Sequence, residues 1–198
     1  MLPHPLYDYG EKLNKKEALE TLGLHPNKKT LLFFGLIRDY KGLDILINAF
    51  SELDYSYQLL IAGECRKDKE LYEELIVRSK NQNIRFINKF IPDDEVNLYF
   101  SAGDVCVLPY RSATQSGIAA IAYHFEVPII ATNVGGLPET VSTDKTGVIA
   151  EYATQSCLQQ AICSFFTEGN FAEYTQNIRQ AKLLLSWERF AKNIIEQT

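Results

Sequence analysis

The sequence lacks several features that would assign it to a class at once. None of its four cysteines stands in a CxxC pair or near a histidine in metal-ligand spacing. Scattered cysteines of this kind are typical of reduced, structural thiols, and we expect no metal site. The opening residues MLPHPLYDYG lack the apolar core of a signal peptide, and no apolar run reaches membrane-spanning length. We therefore expect a cytoplasmic protein.

The motifs of several common enzyme classes are also missing. No GxGxxG follows the first predicted strand, which disfavours a dinucleotide-dependent dehydrogenase, and no GxxxxGK[ST] indicates a P-loop ATPase. HExxH and GxSxG are absent as well. The net charge of −5 argues against a broad nucleic-acid surface, so we expect no nucleic-acid partner.

What the chain does contain is a regular alternation of strand and helix patterns. Continuous apolar runs of strand length occupy 30–34, 57–62, 84–87, 105–108, 127–131 and 147–150. Helical patterns lie at 15–22, 43–50, 67–80, 92–101 and 118–125, and three more follow residue 153, the last of them beginning at Ser186. This alternation predicts an α/β fold: a Rossmann-like, doubly wound parallel sheet of about six strands in the order 3-2-1-4-5-6. We assign residues 1–29 to an N-terminal arm with a short helix and 30–198 to the Rossmann-like domain.

Two loops should face each other in this fold. Ligands of such sheets bind at the switch point, beyond the carboxyl ends of strands one and four. The loop after strand one carries Arg38 and Lys41, and the loop after strand four carries Gln115 and Ser116 before a helix that starts near Gly117. Basic side chains and the free N–H groups of a helix N-terminus suit a diphosphate. The alternative is an ordinary solvated loop, which we rank second because the predicted topology places these residues at the crevice.

Two further residues have a structural and a functional interpretation. Glu64 follows the glycine that ends strand two, and it is either a ligand contact or a surface turn residue. His124 lies in an apolar helical stretch, where a core histidine is commoner than a catalytic one.

Several segments in the right order and spacing resemble one family. They are FFGLIRDYKGLDILINAF, LLIAGE, IRFINKFIPDDEVNLYFSAGDVCVLPY and PIIATNVGGLPE, within residues 30–195. The sequence resembles the carboxyl-terminal half of the family-4 (group 1) glycosyltransferases, which have the GT-B fold of two Rossmann-like domains around a cleft. The resemblance implies the donor-binding domain of a retaining enzyme. Such an enzyme transfers a hexose from a UDP- or GDP-type sugar to a glycan or lipid-linked acceptor, as in polysaccharide synthesis, without metal or other cofactor.

The resemblance also implies roles for particular residues. Lys41 stands at the family's diphosphate-binding lysine, and Arg38 takes the role of an arginine whose usual position is held by Leu36. The segment Lys89–Ile91 corresponds to the part that meets the nucleotide base. The implied catalytic residues are Arg38 and Lys41. The implied donor-binding residues are Gly35, Gly63, Glu64, Phe90, Ile91, Gln115, Ser116, Gly117 and Ile118.

One departure from the family pattern leaves alternatives open. The family usually has two glutamates eight residues apart, facing the donor sugar and the ribose, and here those positions are Ala113 and Ile121. A catalytically silent binding or assembly domain is therefore the second hypothesis, and a nucleotide-sugar epimerase a weaker third. The chain matches one Rossmann-like half, so we expect the acceptor domain, and any peripheral membrane contact at the inner face, to come from the rest of a longer chain or from a partner.

Overall fold

The computed structural model describes residues 8–142 and 145–184. A six-stranded, fully parallel sheet with the order β3-β2-β1-β4-β5-β6 runs through this part of the chain. The strands are β1 Lys29–Phe34, β2 Tyr57–Ala62, β3 Ile84–Ile87, β4 Val105–Leu108, β5 Ile129–Thr132 and β6 Gly147–Ala150. The predicted strand order is confirmed, and the winding direction reverses between β1 and β4.

Helices cover both faces of the sheet. They are α1 Lys15–Leu22, α2 Leu43–Ser51, α3 Lys69–Arg78, α4 Val96–Ala102, α5 Gly117–His124, α6 Leu137–Ser142, α7 Gln155–Thr167 and α8 Phe171–Leu184. One core joins one face of the strands to α1, α4, α5, α6 and α8, and the other joins the opposite face to α2, α3 and α7. Successive strand residues alternate between these cores, as Leu31 and Leu32 do, because side chains of a strand point to opposite faces. The predicted fold class is confirmed.

The ends of α1 show how the sequence sets local structure. The side chain of Asn14 accepts hydrogen bonds from the N–H groups of Lys16 and Glu17, which satisfies donors that the first turn leaves free. Gly23 ends the helix in the left-handed conformation with φ of 68°. An asparagine directly before a helical pattern and a glycine directly after it predict these two roles from the sequence.

Some sequence predictions differ from the structure. In α3 the helical spacing of the sequence predicts that Leu71, Leu75 and Ile76 face inward. In the structure Leu71 is 51% exposed and Tyr72 is 4% exposed, so the packed stripe runs through Tyr72, Leu75 and Ile76. Both stripes have helical spacing, and only tertiary contacts decide between them. The strand predicted to begin at Val127 begins at Ile129. Helix α4 is preceded by a 3₁₀ turn over Asp93–Glu95.

Two predictions concern regions or divisions that the structure leaves open. The last predicted helix, from Ser186, lies outside the described residues. The division into an arm and a domain at residue 30 stays a prediction. Among the helices of residues 8–142 and 145–184, none is both long and apolar enough to cross a bilayer.

Candidate functional site

The loops after β1 and β4 lie together at the carboxyl edge of the sheet. Strand β1 pairs with both β2 and β4, with Leu31 opposite Val105. The N–H of Arg111 donates to the carbonyl of Tyr40 at 2.7 Å, and the Arg111 guanidinium binds the Asp44 carboxylate through two contacts of 2.9 and 2.5 Å. A bidentate pair of this kind fixes geometry as well as distance. The two loops are therefore in direct contact at this edge of the sheet.

Glycines allow neighbouring loops to pack backbone against backbone at this edge. A Cβ atom on Gly63, after β2, would stand 2.0 Å from the carbonyl oxygen of Gly35, after β1. A Cβ on Gly135, after β5, would stand 1.4 Å from the carbonyl oxygen of Ala113. No side chain fits at either place, so the loops after β2, β1, β4 and β5 are in close backbone contact.

Lys41 reaches into the crevice from the loop after β1. It is 7% exposed. A Cβ atom added to Gly35 would lie 3.3 Å from the Lys41 Nζ and 2.9 Å from Cδ1 of Ile118 in α5. The Nζ also lies 5.9 Å from the centre of the Tyr110 ring. The structure thus brings together Gly35, Lys41 and Ile118, which are three of the predicted site residues.

The charge of Lys41 is poorly compensated by the protein. Burial, and to a smaller extent the like charge of Arg38, lowers the pKa of Lys41 from 10.5 to about 8. The thiol of Cys106 favours the charged lysine only as a thiolate, and burial raises the pKa of that thiol to about 12. Within the part of the chain that the structure describes, no carboxylate contributes to this shift. A buried ammonium without a carboxylate partner is suited to an anionic ligand.

The N-terminus of α5 faces the same place. The Oγ of Ser116 accepts a hydrogen bond from the N–H of Ala119 at 3.3 Å and lies 3.3 Å from the hydroxyl of Tyr110. Burial raises the pKa of Tyr110, so this phenol is uncharged at neutral pH. The N–H groups of Gly117 and Ile118 belong to the first turn, where the helix itself supplies no acceptor. Such a turn favours an anion through its free N–H groups and the helix dipole.

A cavity of about 180 Å³ continues from Gly35 along the loops after β2 and β3. The cavity is lined by Phe34, Gly35, Leu36, Gly63, Glu64, Arg66, Phe90 and Ile91. Phe90 is 70% exposed at the edge of the cavity, whereas Ile91 is buried. Five predicted donor-binding residues therefore share one cavity, and an exposed aromatic ring beside it is suited to a flat heterocycle.

Sequence reasoning missed Arg66. Its Nε donates to Oε2 of Glu64 at 2.8 Å, and the two side chains are 63% and 31% exposed. In the sequence, Arg66 is one charge within a polar stretch, and its residue type does not mark it as a cavity residue. The available signal was its position in the loop after β2, two residues beyond Glu64.

The remaining predicted residues occupy different environments. Arg38 and Gln115 are exposed on the two facing loops. Ile121, at the position of one family glutamate, is 9% exposed within the core. His124 is half-buried, and its Nε2 lies 2.9 Å from the carbonyl oxygen of Gly10 in the N-terminal arm. His124 thus has structural contacts, as the preferred interpretation expects, but its ring lies at the edge of the core, where it links α5 to the arm.

Several relatives are similar in sequence to this chain. It is 26% identical over 206 residues to the D-inositol 3-phosphate glycosyltransferase of Corynebacterium urealyticum, covering 94% of this chain and 46% of that protein. It is 28% identical over 159 residues to the uncharacterized glycosyltransferase MJ1178 of Methanocaldococcus jannaschii, covering 80% of this chain and 44% of that one. The chain thus spans less than half the length of these relatives.

Solved structures share the fold. Sucrose-phosphate synthase from Thermosynechococcus elongatus matches with a TM-score of 0.83 and 23% identity, over 99% of this chain and 51% of that one. The C-terminal domain of the group 1 glycosyl transferase LpcC from Francisella tularensis matches with a TM-score of 0.72 and 19% identity, over 89% and 93%. Anabaena HepE, solved in complex with UDP-glucose, matches with a TM-score of 0.81 and 17% identity, over 96% and 55%.

A family model decides the assignment. The model described as "Glycosyl transferases group 1" matches residues 28–168, which include both facing loops and the cavity. The chain therefore belongs to the group 1 glycosyl transferases.

Proposed function

We propose that this chain is the donor-binding domain of a retaining glycosyltransferase that uses a nucleoside diphosphate sugar. The observation that carries the proposal is the convergence of Gly35, Lys41 and the first turn of α5 at the switch point of the sheet. This arrangement offers a buried cation and free N–H groups to one anion. A sugar nucleotide presents its diphosphate as such an anion.

The diphosphate would lie between the two facing loops. At neutral pH Lys41 is mostly protonated, since its pKa is about 8, and it acts as a point charge. Arg38 adds a guanidinium from the exposed rim, and the N–H groups of Gly117 and Ile118 complete the site. These groups stabilise the charge that grows on the diphosphate as the bond to the sugar breaks. In a retaining transfer a leaving phosphate oxygen takes the proton of the acceptor hydroxyl, so no protein base and no metal are required.

The base and the sugar of the donor would lie in the cavity and beside the loop that precedes α5. The base, of the uridine or guanosine type, rests against Phe90 and the backbone at Ile91. Gln115 and Ser116 face the sugar. The likeness to HepE, whose solved complex contains UDP-glucose, supports this placement through the shared fold.

The complete reaction would need a second domain. The chain spans 46% and 44% of two glycosyltransferase relatives, so we propose that the rest of a longer chain, or a partner, binds the acceptor. A glycan or lipid-linked acceptor in polysaccharide synthesis fits this family, and would place the enzyme in the cytoplasm at the inner face of the membrane. On this proposal the isolated half binds donor without turning it over.

A silent binding or assembly domain is the second candidate. It is favoured by one observation: Ala113 and Ile121 replace the two family glutamates, and Ile121 is packed in the core. Such a domain would keep the fold and lose the donor.

Titration of the 198-residue chain with UDP and with GDP tests the proposal. We expect one of them to bind and the Arg38→Ala variant to bind about tenfold more weakly, since a hydrogen bond to a charged group contributes about 1.5 kcal/mol or more. Arg78→Ala is the matched control, because Arg78 pairs with Glu74 on the exposed face of α3. Absence of binding to either nucleotide would favour the silent domain.

A further inference from the structure

The family's ribose carboxylate has no counterpart at its usual place in this chain. The corresponding residue, Ile121, is 9% exposed in the second turn of α5 and packs in the core. An aliphatic side chain accepts no hydrogen bond. A ribonucleotide bound in the proposed orientation therefore needs another acceptor for its ribose hydroxyls.

Glu64 is a carboxylate in the cavity itself. It follows β2 and Gly63 directly, lines the cavity, and is 31% exposed. Its bond from Arg66 engages one oxygen, Oε2, at 2.8 Å. A carboxylate offers about four acceptor positions, so Glu64 retains capacity for two hydroxyl donors.

The order of groups along the crevice matches the order of groups in a nucleotide. Gly35 borders both Lys41, where the diphosphate is proposed to lie, and the cavity. A Cβ on Gly63 would touch the Gly35 carbonyl oxygen, so Glu64 leaves the sheet immediately beside that point. Phe90 borders the same cavity from the loop after β3, one strand further from the switch point. The diphosphate would thus lie beside Lys41, the ribose beside Glu64 and the base beside Phe90.

The topology gives an independent reason for this assignment. In doubly wound sheets that bind dinucleotides, an acidic residue near the end of the second strand accepts a hydrogen bond from the ribose 2′-hydroxyl. Glu64 holds that topological position here, directly after β2.

We propose that Glu64 accepts hydrogen bonds from the ribose hydroxyls of the bound nucleotide, and that Arg66 is a positioning residue that holds its carboxylate. This assignment rests on the proposed nucleotide-sugar function. The Glu64 carboxylate would then favour ribonucleotides over deoxyribonucleotides. It would take the role of the missing family glutamate from a different loop, the one after β2.

Paired titrations with UDP and 2′-deoxy-UDP, and with GDP and 2′-deoxy-GDP, test the proposal on the 198-residue chain. We expect the native chain to bind the ribonucleotide about tenfold or more tightly than its deoxy analogue, the range of a hydrogen bond to a charged acceptor. In Glu64→Ala the preference for the ribonucleotide should be lost, because the 2′-hydroxyl no longer has its acceptor. Both nucleotides also lose the hydrogen bond from the 3′-hydroxyl, so the readout is the ratio of the two affinities. Glu64→Gln, which keeps an acceptor oxygen without the charge, should give an intermediate ratio.

Glu74→Ala is the matched control, since Glu74 forms a comparable exposed ion pair with Arg78 outside the cavity. It should keep the native ratio, and thermal unfolding should show that each variant is folded. Nucleotide binding with no preference for the ribonucleotide, or with a preference that survives in Glu64→Ala, overturns the assignment of Glu64 and leaves the donor site standing. Failure of all four nucleotides to bind overturns the proposed function together with it.

Discussion

Replacing Lys41 with methionine should make the protein more stable while abolishing its binding of diphosphate. Lys41 is 7% exposed, and its pKa is lowered from 10.5 to about 8, chiefly by burial. Each pKa unit corresponds to about 1.4 kcal/mol, so keeping this lysine protonated in the fold costs roughly 3 kcal/mol at neutral pH. Methionine has a similar length, fits an apolar environment and carries no charge.

The expected change is large enough for thermal unfolding to detect. A gain of about 2 to 3 kcal/mol at pH 7 corresponds to a rise in Tm of roughly 5–10 °C for a chain of this size. Lys80→Met is the matched control, since the side chain of Lys80 is 73% exposed and pairs with Glu52 at the surface. That control should leave the Tm nearly unchanged. Titration with UDP or GDP should show loss of binding in Lys41→Met alone.

The sign of the pH dependence gives a second check on the same variant. Between pH 8 and 10.5 the unfolded chain keeps the lysine proton that the folded chain has released, so the unfolded state binds more protons. The stability of the native chain relative to Lys41→Met therefore rises through this window, and the advantage of the variant shrinks toward high pH. Taking the difference between the two proteins cancels the other groups that titrate there. An advantage that is absent at pH 7, or equal at pH 7 and pH 10, would refute the burial argument.

The remaining predictions concern ligand affinity and the packed loops. Diphosphate binding should weaken above pH 8, by up to about tenfold per pH unit, because the ligand needs Lys41 protonated. Calorimetry at pH 8.5 in two buffers of different ionisation enthalpy should show that the protein takes up a proton when the ligand binds. Gly135→Ala should destabilise the fold by about 3 kcal/mol or more in urea unfolding, since its Cβ would meet the Ala113 carbonyl oxygen. Gly23→Ala has a similar positive φ and open space around it, so it should cost only about 1 kcal/mol, and equal costs for the two would contradict the close-packing argument.

The fold was predictable because its signals are local and repeated. Continuous apolar runs such as 57–62 mark buried parallel strands, and the helical stripes between them require crossovers. Once the alternation is read, the strand order and the facing of the loops at Arg38 and Gln115 follow from topology. The misplaced start of β5 and the rotated stripe of α3 are errors of one or two residues within correctly identified elements.

The energetics of the site were not predictable in the same way. Lys41 appears in the sequence as one basic residue of a polar loop. Its burial arises from Gly35 in the same loop and from Tyr110 and Ile118, which are distant in the chain. The cavity position of Arg66 likewise depends on where the loop after β2 lies relative to the loops after β1 and β3. Such properties are set by tertiary contacts between loops, which no local pattern encodes.

Backbone groups and side chains of α5 have different roles, and this difference determines what the loss of the family glutamates changes. The proposed diphosphate contacts use the backbone of the first turn, at Gly117 and Ile118, together with Lys41 from another loop. Ile121 lies in the next turn and supports the core. Ala113 packs its backbone against Gly135 and lies against the core. Replacing carboxylates at 113 and 121 therefore removes side-chain acceptors for sugar and ribose without disturbing the groups that hold an anion. For this reason we expect diphosphate affinity to survive in this chain, and its recognition of sugar and ribose to depend on other residues, such as Gln115 and Glu64.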